Sequence, residues 1–157
     1  MVENGKIEDI VWELKTEQKT GFDRIRKMIS DKCSTQYAAE RVAAETFSSA
    51  APEIRKRLLL TDEMRLILMF EESFPSGGFI DCLDFLKPLE STSYNIDLIS
   101  LRKLKTMLDT LFRVTKFFHD IKEGVYPNLK KMSSSVMNFP QVQQRIDSIL
   151  DRFGDVK

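Results

Sequence analysis

Cysteine, histidine and long apolar runs are scarce in this chain of 157 residues, and each shortage excludes a class of protein. The two cysteines, Cys33 and Cys82, are too few for the disulfide framework of a small secreted domain. Neither has a Cys or His neighbour at metal-ligand spacing. We expect both to be buried, reduced thiols, and a disulfide between them is the less favoured alternative.

His119 is the single histidine of the chain. A Ser-His-Asp hydrolase would need it close to a nucleophile elbow, and the sequence has no such motif. We interpret His119 as a packing or surface residue of a helix.

No stretch of the chain reaches the roughly 18 consecutive apolar residues that a membrane span requires. The chain begins Met1-Val2-Glu3-Asn4, which is acidic and polar, whereas a secretory leader is basic and then apolar. We therefore expect a cytoplasmic protein with no membrane partner.

Phosphate-binding and catalytic patterns are also missing. None of the six glycines fits the G-x-x-x-x-G-K-S/T loop that holds nucleotide phosphates. Ser76-Gly77-Gly78 could form an anion-binding nest, but a plain turn is the better interpretation. The acidic pairs Asp62-Glu63 and Glu71-Glu72 are typical of solvated helix faces rather than of two-metal sites. We expect no catalytic residue, no cofactor and no metal in this chain.

The composition is that of a folded domain, with 42% hydrophobic and 31% charged residues. Apolar residues between positions 7 and 14 recur at helical spacing, but that stretch is short and poorly capped. We therefore predict a lead-in segment over residues 1–19 and one helical domain over residues 20–157, long enough to bury a single core.

No segment shows the sustained alternation of a strand, so the predicted fold class is all-α, a multi-helix bundle. The patterns predict helices over residues 21–33 with Thr20 as the N-cap, 35–46, Pro52 to about Glu72 and Asp81 to Pro88, and two more that begin at Pro127 and Pro140.

The strongest helical signal runs from Leu98 to Ile121, where apolar residues recur every three or four positions. Gly124 is expected to end this helix. It should be the spine of the fold, with one stripe of leucines buried, namely Leu101, Leu104, Leu108 and Leu111.

Charge is balanced over the whole chain, with 24 basic and 24 acidic residues, so there is no overall signature of a nucleic-acid binder. Residues 97–131 are an exception, with eight Lys/Arg against four Asp/Glu. The candidate DNA contacts lie there: Arg102, Lys103, Lys105, Arg113 and Lys116. An ordinary charged outer face of an amphipathic helix is the alternative for the same residues.

Three groups of residues match a known pattern in order and spacing. They are Phe22-Asp23-Arg24-Ile25 with Ala39-Glu40-Arg41-Val42; Glu53-Ile54-Arg55-Lys56-Arg57-Leu58 with Thr61-Asp62-Glu63 and Phe79-Ile80-Asp81; and Tyr126-Pro127-Asn128-Leu129 with Ile146-Asp147 and Gly154-Asp155-Val156-Lys157. Together they resemble the N-terminal region of the bacterial MutS-II family, MutS-type ATPases without the mismatch-reading domain. The resemblance extends from about Gln18 to Lys157 and departs at Ala38, where the family pattern has Gly.

The resemblance implies a fold similar to the core and lever domain of MutS, and a non-catalytic role for this chain within a dimeric ATPase that binds branched or recombining DNA. ATP and Mg would belong to an ATPase domain outside this chain, and a C-terminal nuclease domain would be optional. The family's D-x-A-S element would begin one residue beyond Lys157, so we expect the chain to be a segment of a longer protein.

Two other functions compete with that one. A free-standing helical adaptor that binds a partner protein would have a closed core, whereas a lever segment would leave an apolar flank. A small enzyme has no support from the motifs. If the chain is a segment, the apolar face most readily left uncovered is that of the last helix, with Val142, Ile146, Ile149 and Phe153. We expect this helix either to self-associate or to fold back onto the bundle.

Overall fold

The computed structural model of the chain describes residues 16–91 and 95–157. These residues form helices joined by loops, and the only β-type pairing among them is an isolated bridge between Leu150 and Val156. The all-α prediction is therefore confirmed. None of the described helices has the length and apolar character needed to span a bilayer.

The chain divides into two compact units, and the boundary lies between Ala51 and Pro52. The predicted boundary between a lead-in and a domain, at residues 19 and 20, stays a prediction because residues 1–15 lie outside the described residues. Seven α-helices lie wholly within the described residues, namely α1 (Phe22–Ser30), α2 (Gln36–Ala43), α3 (Ala51–Phe70), α4 (Leu83–Leu86), α5 (Leu98–Asp120), α6 (Pro127–Ser133) and α7 (Pro140–Ile149), and a 3₁₀ turn (Lys87–Glu90) follows α4.

The predicted helices are present and differ from prediction at their ends. Two predicted helix ends are wrong: α5 ends at Asp120, before Gly124, and Thr20 does not cap α1. Residues 16–20 are already helical, so the Thr20 hydroxyl donates to the Thr16 carbonyl oxygen at 2.7 Å instead of capping α1. Gly21 takes the N-cap position with φ of 74°, a left-handed conformation that glycine adopts without strain.

The long helix α5 begins with a side-chain cap. Asp97 Oδ1 accepts a hydrogen bond from the Ser100 amide at 2.9 Å, and Oδ2 accepts one from the Ser100 hydroxyl at 2.7 Å. Both bonds favour the charged carboxylate and so hold the pKa of Asp97 below its ordinary value. The bond from the Ser100 amide has the larger effect. Helix α5 then runs for 23 residues, about 35 Å.

Two separate hydrophobic clusters lie along α5. The first, the central core, contains Ile67 of α3, Phe118 of α5 and Leu129 of α6. The second, the C-terminal core, contains Leu108 of α5 with Ile146 and Leu150. Two different helices, α6 and α7, thus pack on different lengths of the same spine.

The predicted leucine stripe is only partly buried. Leu108 is 9% exposed, whereas Leu101, Leu104 and Leu111 are half-buried. The prediction of four buried leucines is wrong for these three. Leu101 and Leu104 lie along the edge of the C-terminal core. Outside α5, the buried members of this core are Ile146 of α7 and Leu150 directly after α7.

The two cysteines are free thiols in different environments. Cys82 is buried, and this burial raises the pKa of its thiol, an effect that Asp81 reinforces. Cys33 is half-buried, so the prediction that both thiols are buried is wrong for Cys33.

This difference gives a testable prediction about thiol reactivity. Because the thiolate is the reactive form and must also be accessible, Cys33 should react with a disulfide reagent at least about tenfold faster than Cys82. The comparison uses the Cys33→Ala and Cys82→Ala variants, each with one thiol left. Equal rates in folded protein would contradict the burial of Cys82.

Candidate functional site

The five basic residues predicted to contact DNA all lie on α5, and the structure gives them different surroundings. Lys116 forms an exposed ion pair with Asp120 one helical turn away, at 2.5 Å. Lys103 is exposed, and its positive charge acts on the Cys82 thiol. Among the described residues, no ion pair joins Lys103 or Lys116 to a distant part of the chain.

Arg102 and Lys105 both bind the C-terminal residues of the chain. Arg102 Nε donates to the Gly154 carbonyl oxygen at 2.5 Å, and its guanidinium also pairs with Asp155. Lys105 Nζ donates to the Asp147 carboxylate of α7. This hydrogen bond raises the pKa of Lys105, because it favours the charged ammonium. We call these four charged residues, Arg102, Lys105, Asp147 and Asp155, the C-terminal latch.

A tight turn presents Asp155 to the latch. Asp151 Oδ1 accepts hydrogen bonds from the amides of Phe153 at 2.8 Å and Asp155 at 2.9 Å. Gly154 has φ of 84°, and a Cβ at this position would lie 3.2 Å from Arg102 Nε. Glycine is therefore required both by the backbone conformation and by the close approach of Arg102.

The C-terminal segment folds back onto α5 instead of remaining bare. Ile146 and Leu150 are 3% and 2% exposed, while Val142 and Phe153 stay exposed. Of the two outcomes expected from the sequence, folding back is the one observed for Ile146. The side-chain amide of Gln143 adds a hydrogen bond to Asp109 of α5 at 3.1 Å.

Arg113 lies beside the docking point of the Ser76-Gly77-Gly78 loop. Its Nη2 is 3.4 Å from Oγ1 of the fully buried Thr110, which lies 3.1 Å from the Gly78 carbonyl oxygen. Gly78 has φ of 87°, and a Cβ there would be 2.4 Å from Thr110 Oγ1. The loop thus turns a carbonyl oxygen toward α5, which supports a turn rather than an anion-binding nest.

Glu63 differs from the prediction of a solvated helix face. This residue is only 9% exposed. Its Oε1 accepts from the Asn128 amide at 3.1 Å and the Asn128 side chain at 2.6 Å, and its Oε2 accepts from the Leu129 amide at 2.8 Å. A side chain of α3 therefore caps the first turn of α6, because those amides have no partner within the helix.

A second carboxylate, that of Glu71 directly after α3, supports the same junction. Glu71 Oε1 accepts a hydrogen bond from the Tyr126 hydroxyl at 3.1 Å. Desolvation is the main cause that raises the pKa of Tyr126, and the hydrogen bond to Glu71 raises this pKa further. Tyr126 has φ of 50°, so the residue just before α6 is held in a left-handed conformation that is uncommon for tyrosine.

A signal for the burial of Glu63 is present in the sequence. Leu60, Glu63 and Ile67 are spaced so that they lie on one face of α3, and this spacing could have placed Glu63 on the inner side.

The remaining side chains that could take part in catalysis or metal binding lie apart from one another. His119 is 87% exposed, with Nδ1 at 3.1 Å from the carboxylate of Asp120. Among the residues with described positions, no three His, Cys, Asp or Glu side chains converge as metal ligands. The charged and polar side chains described above therefore hold helices and turns against one another.

The first unit contains an open, mostly apolar groove of about 520 Å³, with Phe22, Ile29, Val42 and Phe47 in its lining. Arg26 at this groove is already engaged, since it pairs with Glu17 and donates to the Val42 carbonyl oxygen at 2.6 Å.

Two curated proteins are similar to this chain, and both carry the name Endonuclease MutS2. The protein from Alkaliphilus oremlandii (strain OhILAs) is 26% identical over 127 residues, which cover 80% of this chain and 16% of the relative. The protein from Geobacillus sp. (strain WCH70) is 26% identical over 144 residues, which cover 86% of this chain and 17% of the relative. No protein-family model and no solved structure matches the chain.

The chain spans about a sixth of the length of these relatives. At this identity, the similarity supports a distant relationship to the MutS family.

Proposed function

We propose that this chain is a non-catalytic core/lever segment of a MutS-type, ATP-dependent DNA-binding protein that acts in DNA repair or recombination control. The observation that carries the proposal is the similarity to two proteins named Endonuclease MutS2, over most of this chain and a small part of each relative. ATP and Mg would be held by an ATPase domain elsewhere, and the complete protein would be a homodimer in the cytoplasm.

The architecture of α5 supports a mechanical role. Leu108 and Phe118 belong to different cores and lie about 15 Å apart along one continuous helix. A rigid movement of α5 would therefore reach both cores at once, including the junction of α3 and α6. Packed rigid helices with discrete contacts are the physical means by which such coupling travels.

Exposed apolar side chains favour a segment of a larger protein over a closed adaptor. On α3, Leu58, Leu68, Met69 and Phe70 are each more than half exposed. Surfaces of this kind are usually covered by another part of the polypeptide or by a partner.

The reading frame beyond the codon for Lys157 tests the proposal. We expect an Asp-x-Ala-Ser continuation and a Walker sequence further on, because the nucleotide-binding loop is not in this chain. A stop codon directly after Lys157 would remove the proposal and favour the adaptor.

A first prediction concerns nucleotide. The isolated chain should not bind Mg-ATP, since no glycine of the chain precedes a Lys-Ser or Lys-Thr pair in a phosphate-binding loop. Isothermal titration calorimetry measures this. Saturable binding tighter than about 100 μM would show that a nucleotide site has been missed.

A second prediction concerns DNA. The isolated chain should bind duplex DNA weakly, near or above about 10⁻⁴ to 10⁻⁶ M, with affinity that falls steeply as salt rises. The reason is that the net charge is zero and the basic excess is confined to residues 97–131. Fluorescence polarisation over a salt series checks this, and sub-micromolar binding that salt leaves unchanged would contradict it.

A further inference from the structure

Two of the five candidate DNA-binding cations already bind carboxylates of this chain. Arg102 and Lys105 are three positions apart on α5 and thus neighbours on one helix face. Their partners are Asp155 and Asp147, which lie 53 and 42 residues away in sequence. These carboxylates take the positions that phosphate oxygens would take on the same donors.

We propose that the C-terminal latch is an autoinhibitory contact, in which Asp147 and Asp155 compete with the phosphates of DNA for Arg102 and Lys105. The inference rests on the proposed DNA-binding function and deepens it. It makes DNA binding by this face of α5 and docking of α7 mutually opposed events.

The exposure of the latch makes the exchange feasible. The side chains of Asp155 and Asp147 are 69% and 57% exposed, so both carboxylates are hydrated and near the surface. Exposed ion pairs contribute little net stability, and an incoming phosphate therefore displaces them at little cost. Guanidinium and ammonium groups bind phosphate as well as carboxylate.

The competition is reciprocal. If docking of Asp147 and Asp155 weakens DNA binding, then DNA binding must weaken their docking by the same factor. The segment that would loosen is defined by the backbone hydrogen bonds from Leu150 to Ile146 and from Lys157 to Ile149, both 2.9 Å.

The test uses the complete chain with the double substitution Asp147→Asn and Asp155→Asn and a fluorescent duplex of about 20 base pairs. Freeing two cations should add about two phosphate contacts, so the plot of log K against log salt should steepen by about 1.8. Affinity at about 50 mM salt should rise about tenfold or more. An unchanged slope would overturn the proposal.

Two controls separate this effect from a general change in charge. The variant Glu72→Gln with Glu90→Gln makes the same change in net charge at exposed residues outside the latch, and it should leave the slope unchanged. Adding Arg102→Gln and Lys105→Gln to the latch variant should return the slope to the wild-type value. A gain in the glutamate control equal to that in the latch variant would overturn the proposal.

Hydrogen exchange of the wild-type chain gives a second measurement that does not depend on a variant. Saturating DNA should speed exchange of the Leu150 and Lys157 amides and leave the Leu129 amide unchanged. No change at Leu150 and Lys157 would overturn the proposal. Sodium triphosphate serves as a separate arm, and binding as tight as that of the duplex would assign the face to free phosphates instead of DNA.

Failure here is distinct from failure of the proposed function. A reading frame that continues into a Walker sequence, together with an unchanged salt slope, keeps the lever proposal and removes the latch. A stop codon together with a steepened slope removes the lever proposal and keeps the latch.

Discussion

Replacing Glu63 with alanine is expected to lower the free energy of unfolding by about 2–4 kcal/mol. The carboxylate accepts three hydrogen bonds from Asn128 and Leu129, and the Leu129 amide is in a buried site. Without Glu63 these donors have no acceptor from the protein, and an unsatisfied buried amide costs about 1–3 kcal/mol. Urea unfolding followed by circular dichroism measures the loss.

The neighbouring Asp62 provides a matched control for this prediction. Its side chain is 58% exposed and pairs with Arg65 three positions on, so Asp62→Ala should change stability by less than about 0.5 kcal/mol. Glu63→Gln should fall between the two, because the amide retains one acceptor oxygen but turns a donor toward the α6 amides. A loss below about 1 kcal/mol for Glu63→Ala would show that Glu63 does not carry the cap.

The contrast between Asp62 and Glu63 shows what the sequence can predict. Periodicity located α3, since a helix requires only local spacing of apolar and helix-forming residues. It did not reveal that one of two adjacent carboxylates is buried, because the donors that make burial tolerable lie 65 and 66 residues further on. Such partners become visible only when α6 is placed against α3.

The same limit applies to the candidate site. The sequence placed all five basic residues on one long helix, and the structure agrees with that placement. Whether any of them contacts DNA stays a prediction. What spacing could not show is that Arg102 and Lys105 meet Asp155 and Asp147. The Lys105 pair depends on the packing of α7 against α5, and the Arg102 pair depends on the turn after α7 that brings the chain back to α5.

The structure also explains why separated pieces of the sequence belong together. Glu63 lies in one of the groups that resemble the MutS-II pattern, and Asn128 and Leu129 lie in another. The hydrogen bonds from Asn128 and Leu129 to Glu63 join these groups in space. Asp147 and Gly154-Asp155 of the last group likewise converge on Lys105 and Arg102. Residues of these groups thus make contacts that join α3 to α6 and α5 to the C-terminal residues.

Leu108→Ala is expected to cost about 2–5 kcal/mol, the sum of the lost transfer free energy and the cavity left behind. Leu108 is 9% exposed and packs with Ile146 and Leu150, which are the other buried members of the C-terminal core. Ile99 on the same helix is 65% exposed, so Ile99→Ala is the matched control and should stay within about 0.5 kcal/mol.

Which part of the fold loses stability in Leu108→Ala is as informative as the size of the loss. The C-terminal core shares no residue with the central core of Ile67, Phe118 and Leu129, so the truncated side chain should release α7 before the rest of the unit opens. Hydrogen exchange should accelerate at the Leu150 amide, while the Leu129 amide, held by Glu63, stays protected. Equal acceleration at both amides would mean that the two cores open as one, and α5 would then couple its two ends more tightly than their separate packing implies.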